Sequence, residues 1–114
     1  MPIDDGQEAL IHLRALLALA ERLRAHSIAV LAHQYNYLAF GSWTMIVGNR
    51  HRRVQLNWDG REFLLSSARS EFGGTSAPAT WRPFESKRLE GADLEGIYRV
   101  VEDLASRALD DGAA

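Results

Sequence analysis

The 114-residue chain contains no cysteine. That one absence removes disulfide staples, thiol nucleophiles, CxxC redox pairs and cysteine-ligated zinc. Small secreted domains usually lean on disulfides, so an oxidising compartment is disfavoured and a cytoplasmic location is expected. Lysine is almost missing as well: Lys87 stands alone among 13 basic residues. Alanine is abundant, so the arginine excess reads as coding bias and not as a phosphate-binding signature. No apolar run approaches the ~20 residues that a membrane-spanning helix needs. The first residues, Met1 to Ala9, are acidic, without the basic and apolar segments of a secretory leader. No membrane association is expected.

What is present describes a single domain spanning residues 1–114. Hydrophobic residues make up 46% of the chain, enough to build a core and to exclude wholesale disorder. Charge is unevenly spread. Residues 50–88 carry eight bases against four acids, whereas residues 89–114 carry two bases against seven acids. A basic middle and an acidic end are able to steer a partner.

Hydrophobic spacing sets the fold class. Asp4 and Asp5, followed by Gln7 and Glu8, resemble a capping box. Leu10, Leu13, Leu16, Leu17, Ala20 and Leu23 then recur at helical spacing, which predicts a helix over about 7–24. A second apolar stripe, Leu94, Ile97, Tyr98, Val101, Leu104, Ala105 and Ala108, predicts a helix over about 93–109. Between them the period drops to two. Asp59-Gly60 is a two-residue hairpin signal, pairing Trp58 with Arg61, Leu56 with Phe63 and Val54 with Leu65. A tight turn at Arg50-His51 pairs Val47 with Val54, Met45 with Leu56 and Trp43 with Trp58. Residues 27–37 read as a further strand, the alternative being an extension of the first helix. The expectation is therefore α+β: an antiparallel β-meander of three to four strands, with N- and C-terminal helices packed on one face (α-β-β-β-β-α). Residues 71–91 carry Gly73-Gly74, Pro78 and Pro83 and read as a long irregular loop. Within it, Glu71 to Pro78 is expected to be the most mobile segment.

No assembled catalytic constellation is visible. There is no HExxH, no GxSxG elbow, no P-loop and no dinucleotide fingerprint. The four histidines, His12, His26, His33 and His51, read as unrelated side chains, so neither a metal nor a cofactor is implied. Asp59 and Glu62 are close in sequence, but Asp59 is accounted for by its turn, and Leu64 stands where a metal-dependent nuclease would want a base. Trp43 and Trp58 read as core, cross-strand neighbours.

Three surfaces remain. The favoured one is the wet sheet face, where Ile46, Gln55 and Leu64 line up as a cross-strand row with a polar rim. It suits a non-enzymatic, chaperone-like or immunity-like adaptor that binds a protein partner, or a second copy of itself as a homodimer, through a sheet face or edge. The second is a pocket between the sheet and the 71–91 loop, lined by His33, Tyr35, Tyr37 and Trp81, serving a small ligand or an enzyme's substrate. The third is the basic hairpin of Arg50, Arg52 and Arg53, an anion or nucleic-acid contact disfavoured by the net charge of −2 and the absence of a wider basic footprint.

Overall fold

The structure, a computed structural model, describes residues 5–36, 41–71 and 81–110. The order of elements is α1 (Asp5–Ala25), β1 (Ala29–Asn36), β2 (Ser42–Gly48), β3 (Arg52–Asp59), β4 (Leu64–Glu71), β5 (Arg82–Arg88) and α2 (Leu94–Ala108). The strands form one antiparallel sheet in the sequential order β1-β2-β3-β4-β5. The chain is α+β as its periodicities imply, with five strands in place of three to four. No described helix is long and apolar enough to cross a membrane.

The fifth strand lies inside the segment expected to be irregular. Pro83 disguises it, but a proline is tolerated on an edge strand because that strand needs hydrogen bonds on one side only. A bulge hides the alternation further: the pairing jumps from Ser66–Ser86 to Ala68–Pro83. The Ser67 hydroxyl fills the gap, donating to the Glu85 carbonyl at 2.7 Å and accepting the Glu85 N–H at 3.1 Å. Phe84 packs against the core from the bulge, with the guanidinium groups of Arg69 and Arg107 at 5.1 and 5.8 Å from its ring. The expectation of mobility for Glu71 to Pro78 falls, beyond Glu71, outside the described residues.

The β2–β3 register agrees with the sequence reading, including Trp43 opposite Trp58. The β3–β4 register does not. Asp59 pairs with Leu64 and Trp58 with Leu65, so the turn is a four-residue loop and not the two-residue one suggested by Asp59-Gly60. Asp59 Oδ1 accepts the N–H groups of Arg61 and Glu62 at 3.0 and 3.2 Å, an Asx-type closure that competes successfully with a tight turn. The displacement is four residues. Four is even, so every side chain keeps its face, and Leu65 remains fully buried. Phe63, expected in the core, sits in the loop with φ of 55°.

The core lies between one sheet face and both helices. It gathers Leu19 and Leu23 from α1, Ile97, Tyr98, Val101 and Leu104 from α2, and Trp43, Met45, Val47, Val54, Leu56, Trp58 and Leu65 from the sheet. Helix α1 packs beside α2 and over β1, while α2 also packs over β3 and β4. Asp93 caps α2 by accepting the Gly96 N–H at 2.8 Å. Helix α1 ends in a Schellman motif: the Ile28 N–H donates to the Leu23 carbonyl at 3.0 Å and the Ser27 N–H to the Arg24 carbonyl at 2.9 Å. Ser27 takes the left-handed position at φ 61°. Between the helices, Glu102 receives Arg22 Nε at 2.7 Å and lies 3.3 Å from His26 Nε2.

Candidate functional site

Under α1 the fold assembles a polar aromatic cluster from three layers of chain. His12 projects from α1 into the interior and is 3% exposed. His33 and Tyr35 face it from the edge strand β1, and Tyr98 faces it from α2. His12 Nε2 lies 2.9 Å from His33 Nε2 and 2.8 Å from the Tyr98 hydroxyl. The His12 ring stacks on Tyr35 at a centroid distance of 3.8 Å. Trp43 closes the floor, 5.4 Å from the Tyr98 ring and 6.3 Å from the His33 ring. Its indole Nε1 is buried and has no hydrogen-bond partner among the described residues.

The electrostatics follow from this packing. Burial, reinforced by the neighbouring His33, lowers the His12 pKa to about 4. Burial lowers His33 as well. Burial, with Tyr35 alongside, raises Tyr98. At neutral pH both imidazoles and the phenol are therefore uncharged. Spacing along the chain conceals this cluster, because His12 and His33 belong to different elements and meet only when α1 folds back over β1. The reading of four unrelated histidines is corrected for these two. His26 instead sits beside Glu102, and His51 lies in the β2–β3 turn.

Of the residues expected to line a pocket, His33 and Tyr35 are joined in this cluster, and Tyr37 lies outside the described residues. Trp81 precedes β5, at the opposite edge of the sheet from β1. Trp81 does not share a pocket with His33 and Tyr35, because four strand spacings, roughly 19 Å, separate the two edges.

The other sheet face carries no described helix or strand. Ile46 and Gln55 pair across β2 and β3, but the next member of their row is Ala68 and not Leu64. Leu64 stands two rungs away, opposite Asp59 and Arg88. The neighbouring row, Gln34, Thr44, Asn57, Ser66 and Ser86, is polar and uncharged across all five strands, with the Thr44 hydroxyl donating to Asn57 Oδ1 at 2.9 Å. A cleft of ≈ 610 Å³ opens over it. Arg50, Arg52 and Arg53 surround the β2–β3 turn, which Asn49 Oδ1 closes by accepting the N–H groups of His51 and Arg52.

Comparison with known protein families, with curated proteins and with solved structures finds no match to this chain. Fold and site geometry are therefore the grounds for any functional reading.

A surface that the sequence reading missed completes the picture. The leucines of α1 do not form one stripe. Leu16, Leu19 and Leu23 turn inward, whereas Leu10, Leu13 and Leu17 turn outward and are 48%, 57% and 62% exposed. Ile11 is exposed too, on another side of the helix. The signal was the width of the stripe: 10, 13 and 17 share a helix face distinct from that of 16, 19 and 23. Helix α1 is also the helix at the β1 end of the sheet. That edge strand, AVLAHQYN, carries no Asp, Glu, Lys or Arg, and Leu31 on it is exposed. The opposite edge, RPFESKR, carries Pro83 and four charged side chains.

Proposed function

We propose that this chain is a protein-interaction domain whose docking surface is the outward face of α1 together with edge strand β1, and that the partner it accepts there is a second copy of itself. The observation that carries the reading is the half-exposed group Leu10, Leu13 and Leu17 on one face of one helix. Scattered exposed leucines mean little, but large aliphatics clustered on one face mark interaction surfaces.

Two features favour a second copy as the partner. Leu10 and Leu17 stand equally far from the Leu13–Arg14 midpoint, so an antiparallel α1 from another chain sets Leu10 against Leu17 twice, with the two Leu13 side chains near the axis. Such self-matching spacing is what a two-fold interface requires. The β1 edge adds to it. Sheet edges are commonly guarded by charge and proline, as β5 is; β1 has only its bulge at Leu31 and meets no like charge on pairing with itself. Ile46, Gln55 and Leu64 make a weaker surface, because each is half-buried and Leu64 is out of line with the other two.

The test is the mass in solution of the full chain and of the triple variant Leu13→Glu, Leu17→Glu, Leu31→Lys. A wild-type dimer and a folded monomeric variant support the proposal. A wild-type monomer at high micromolar concentration overturns it, as does a dimer that survives all three substitutions.

A further inference from the structure

In the cluster beneath α1, His12 Nε2 has one more partner than it serves well. Each imidazole nitrogen is either an N–H or a lone pair. His12 Nε2 faces two partners at hydrogen-bonding distance, His33 Nε2 at 2.9 Å and the Tyr98 oxygen at 2.8 Å. If His12 Nε2 carries the proton, one N–H is shared between two acceptors. If it carries the lone pair, two donors contest it. A cation with several open coordination positions takes all of these lone pairs at once.

We propose that His12, His33 and Tyr98 form a binding site for a divalent transition-metal ion, Cu²⁺ in preference to Zn²⁺. The distances make the choice. At metal–nitrogen bonds of about 2.0–2.1 Å, nitrogens 2.9 Å apart subtend roughly 90° at the metal. That is the cis angle of a tetragonal site, and a tetrahedral zinc site would need the rings to splay. The two imidazoles take equatorial positions, and the neutral Tyr98 oxygen is suited to the weak axial one. Among the described residues no group of three His, Cys, Asp or Glu is gathered, so solvent, entering past half-exposed His33, fills the remaining positions.

One further observation fits. The buried Trp43 Nε1 donor, without an acceptor among the described residues, belongs to the same ring cluster, and a metal-bound water would give it one. Outer-shell donors of this kind orient and tune metal ligands. His33 lies on β1, the edge strand of the proposed self-association, and the two are tested apart: mass in solution for one, copper for the other.

The test titrates CuCl₂ into the full chain. The tryptophan emission reports proximity, because Trp43 stacks 6.3 Å from His33, and electron paramagnetic resonance reports the ligand nitrogens. Quenching that saturates at one equivalent, with superhyperfine splitting from two nitrogens, is expected. His33→Thr, at a half-exposed strand position, should remove both signals while circular dichroism stays unchanged. The double variant His26→Ala, His51→Ala should keep them. No stoichiometric quenching, binding retained in His33→Thr, or binding lost in the double variant each overturns the assignment.

Discussion

The imidazoles of His12 and His33, 21 positions apart in the chain, meet Nε2 to Nε2 at 2.9 Å, holding the first helix against the edge of the sheet. Burial disfavours charge on either ring, and that makes the fold sensitive to acid. In the folded chain His12 has a pKa of about 4 against an ordinary 6.5, and His33 is lowered too. The unfolded chain therefore binds more protons across this window. Stability is fully present above about pH 6.5 and is lost as pH falls toward 4. After discounting for solvent access, the His12 contribution is on the order of 2 kcal/mol. Denaturant midpoints at pH 7.5, 6 and 5 should fall in that order, and His12→Gln should flatten the decline. A profile unchanged by that substitution places the acid sensitivity elsewhere.

Ser27 closes the Schellman motif at the end of α1 in a conformation that glycine adopts without cost. Its side chain is exposed. Ser27→Gly should therefore stabilise the protein by about 0.5–1 kcal/mol, raising the melting temperature by a few degrees. A lower melting temperature would show that the serine side chain contributes to the cap.

Phe63 separates the two possible β3–β4 registers. In the structure it occupies a left-handed loop position and is 40% exposed. Replacing it with glycine relieves about 1–2 kcal/mol of backbone cost, which offsets much of the burial lost, so Phe63→Gly should cost well under a core truncation. Were the turn a two-residue hairpin at Asp59-Gly60, the same side chain would lie in the core, and truncating it would cost about 3–5 kcal/mol.

Trp43 and Trp58 face one another in the buried layer. Each truncated to alanine should cost about 3–5 kcal/mol. Iodide should leave the emission of both unquenched in the folded state; ready quenching of either would contradict their burial.

The parts of the fold legible in the sequence were those in which one face is apolar and the other wet. The stretch from Trp43 to Trp58 alternates so regularly that a slip would bury Thr44 and Asn57, and its register follows. Helix α2, with one narrow stripe, was equally plain. The hairpin register was not, because Asp59-Gly60 satisfies two turn types and only the Asp59 carboxylate bonding to Arg61 and Glu62 selects the longer. Strand β5 was masked by Pro83 and a bulge, both of which interrupt a period of two. The cluster site was illegible for a different reason. No local pattern encodes the approach of His12 to His33 and Tyr98; it follows from where the helices land on the sheet.

The sequential strand order has a kinetic consequence. Every strand pairs with its neighbour in the chain, so the meander is able to close one hairpin at a time without distant strand pairing, which favours rapid assembly. The contacts that seal the interior are of the opposite kind: His12 reaches Tyr98 across 86 positions and Arg22 reaches Glu102 across 80. A chain still emerging from the ribosome holds α1 and the sheet but lacks their lid. Until α2 is synthesised, the inward leucines of α1 and the two tryptophans remain open to water and to other nascent chains. The arrival of α2 is thus the step that seals the core, and variants that lack it should aggregate and not form a smaller folded unit.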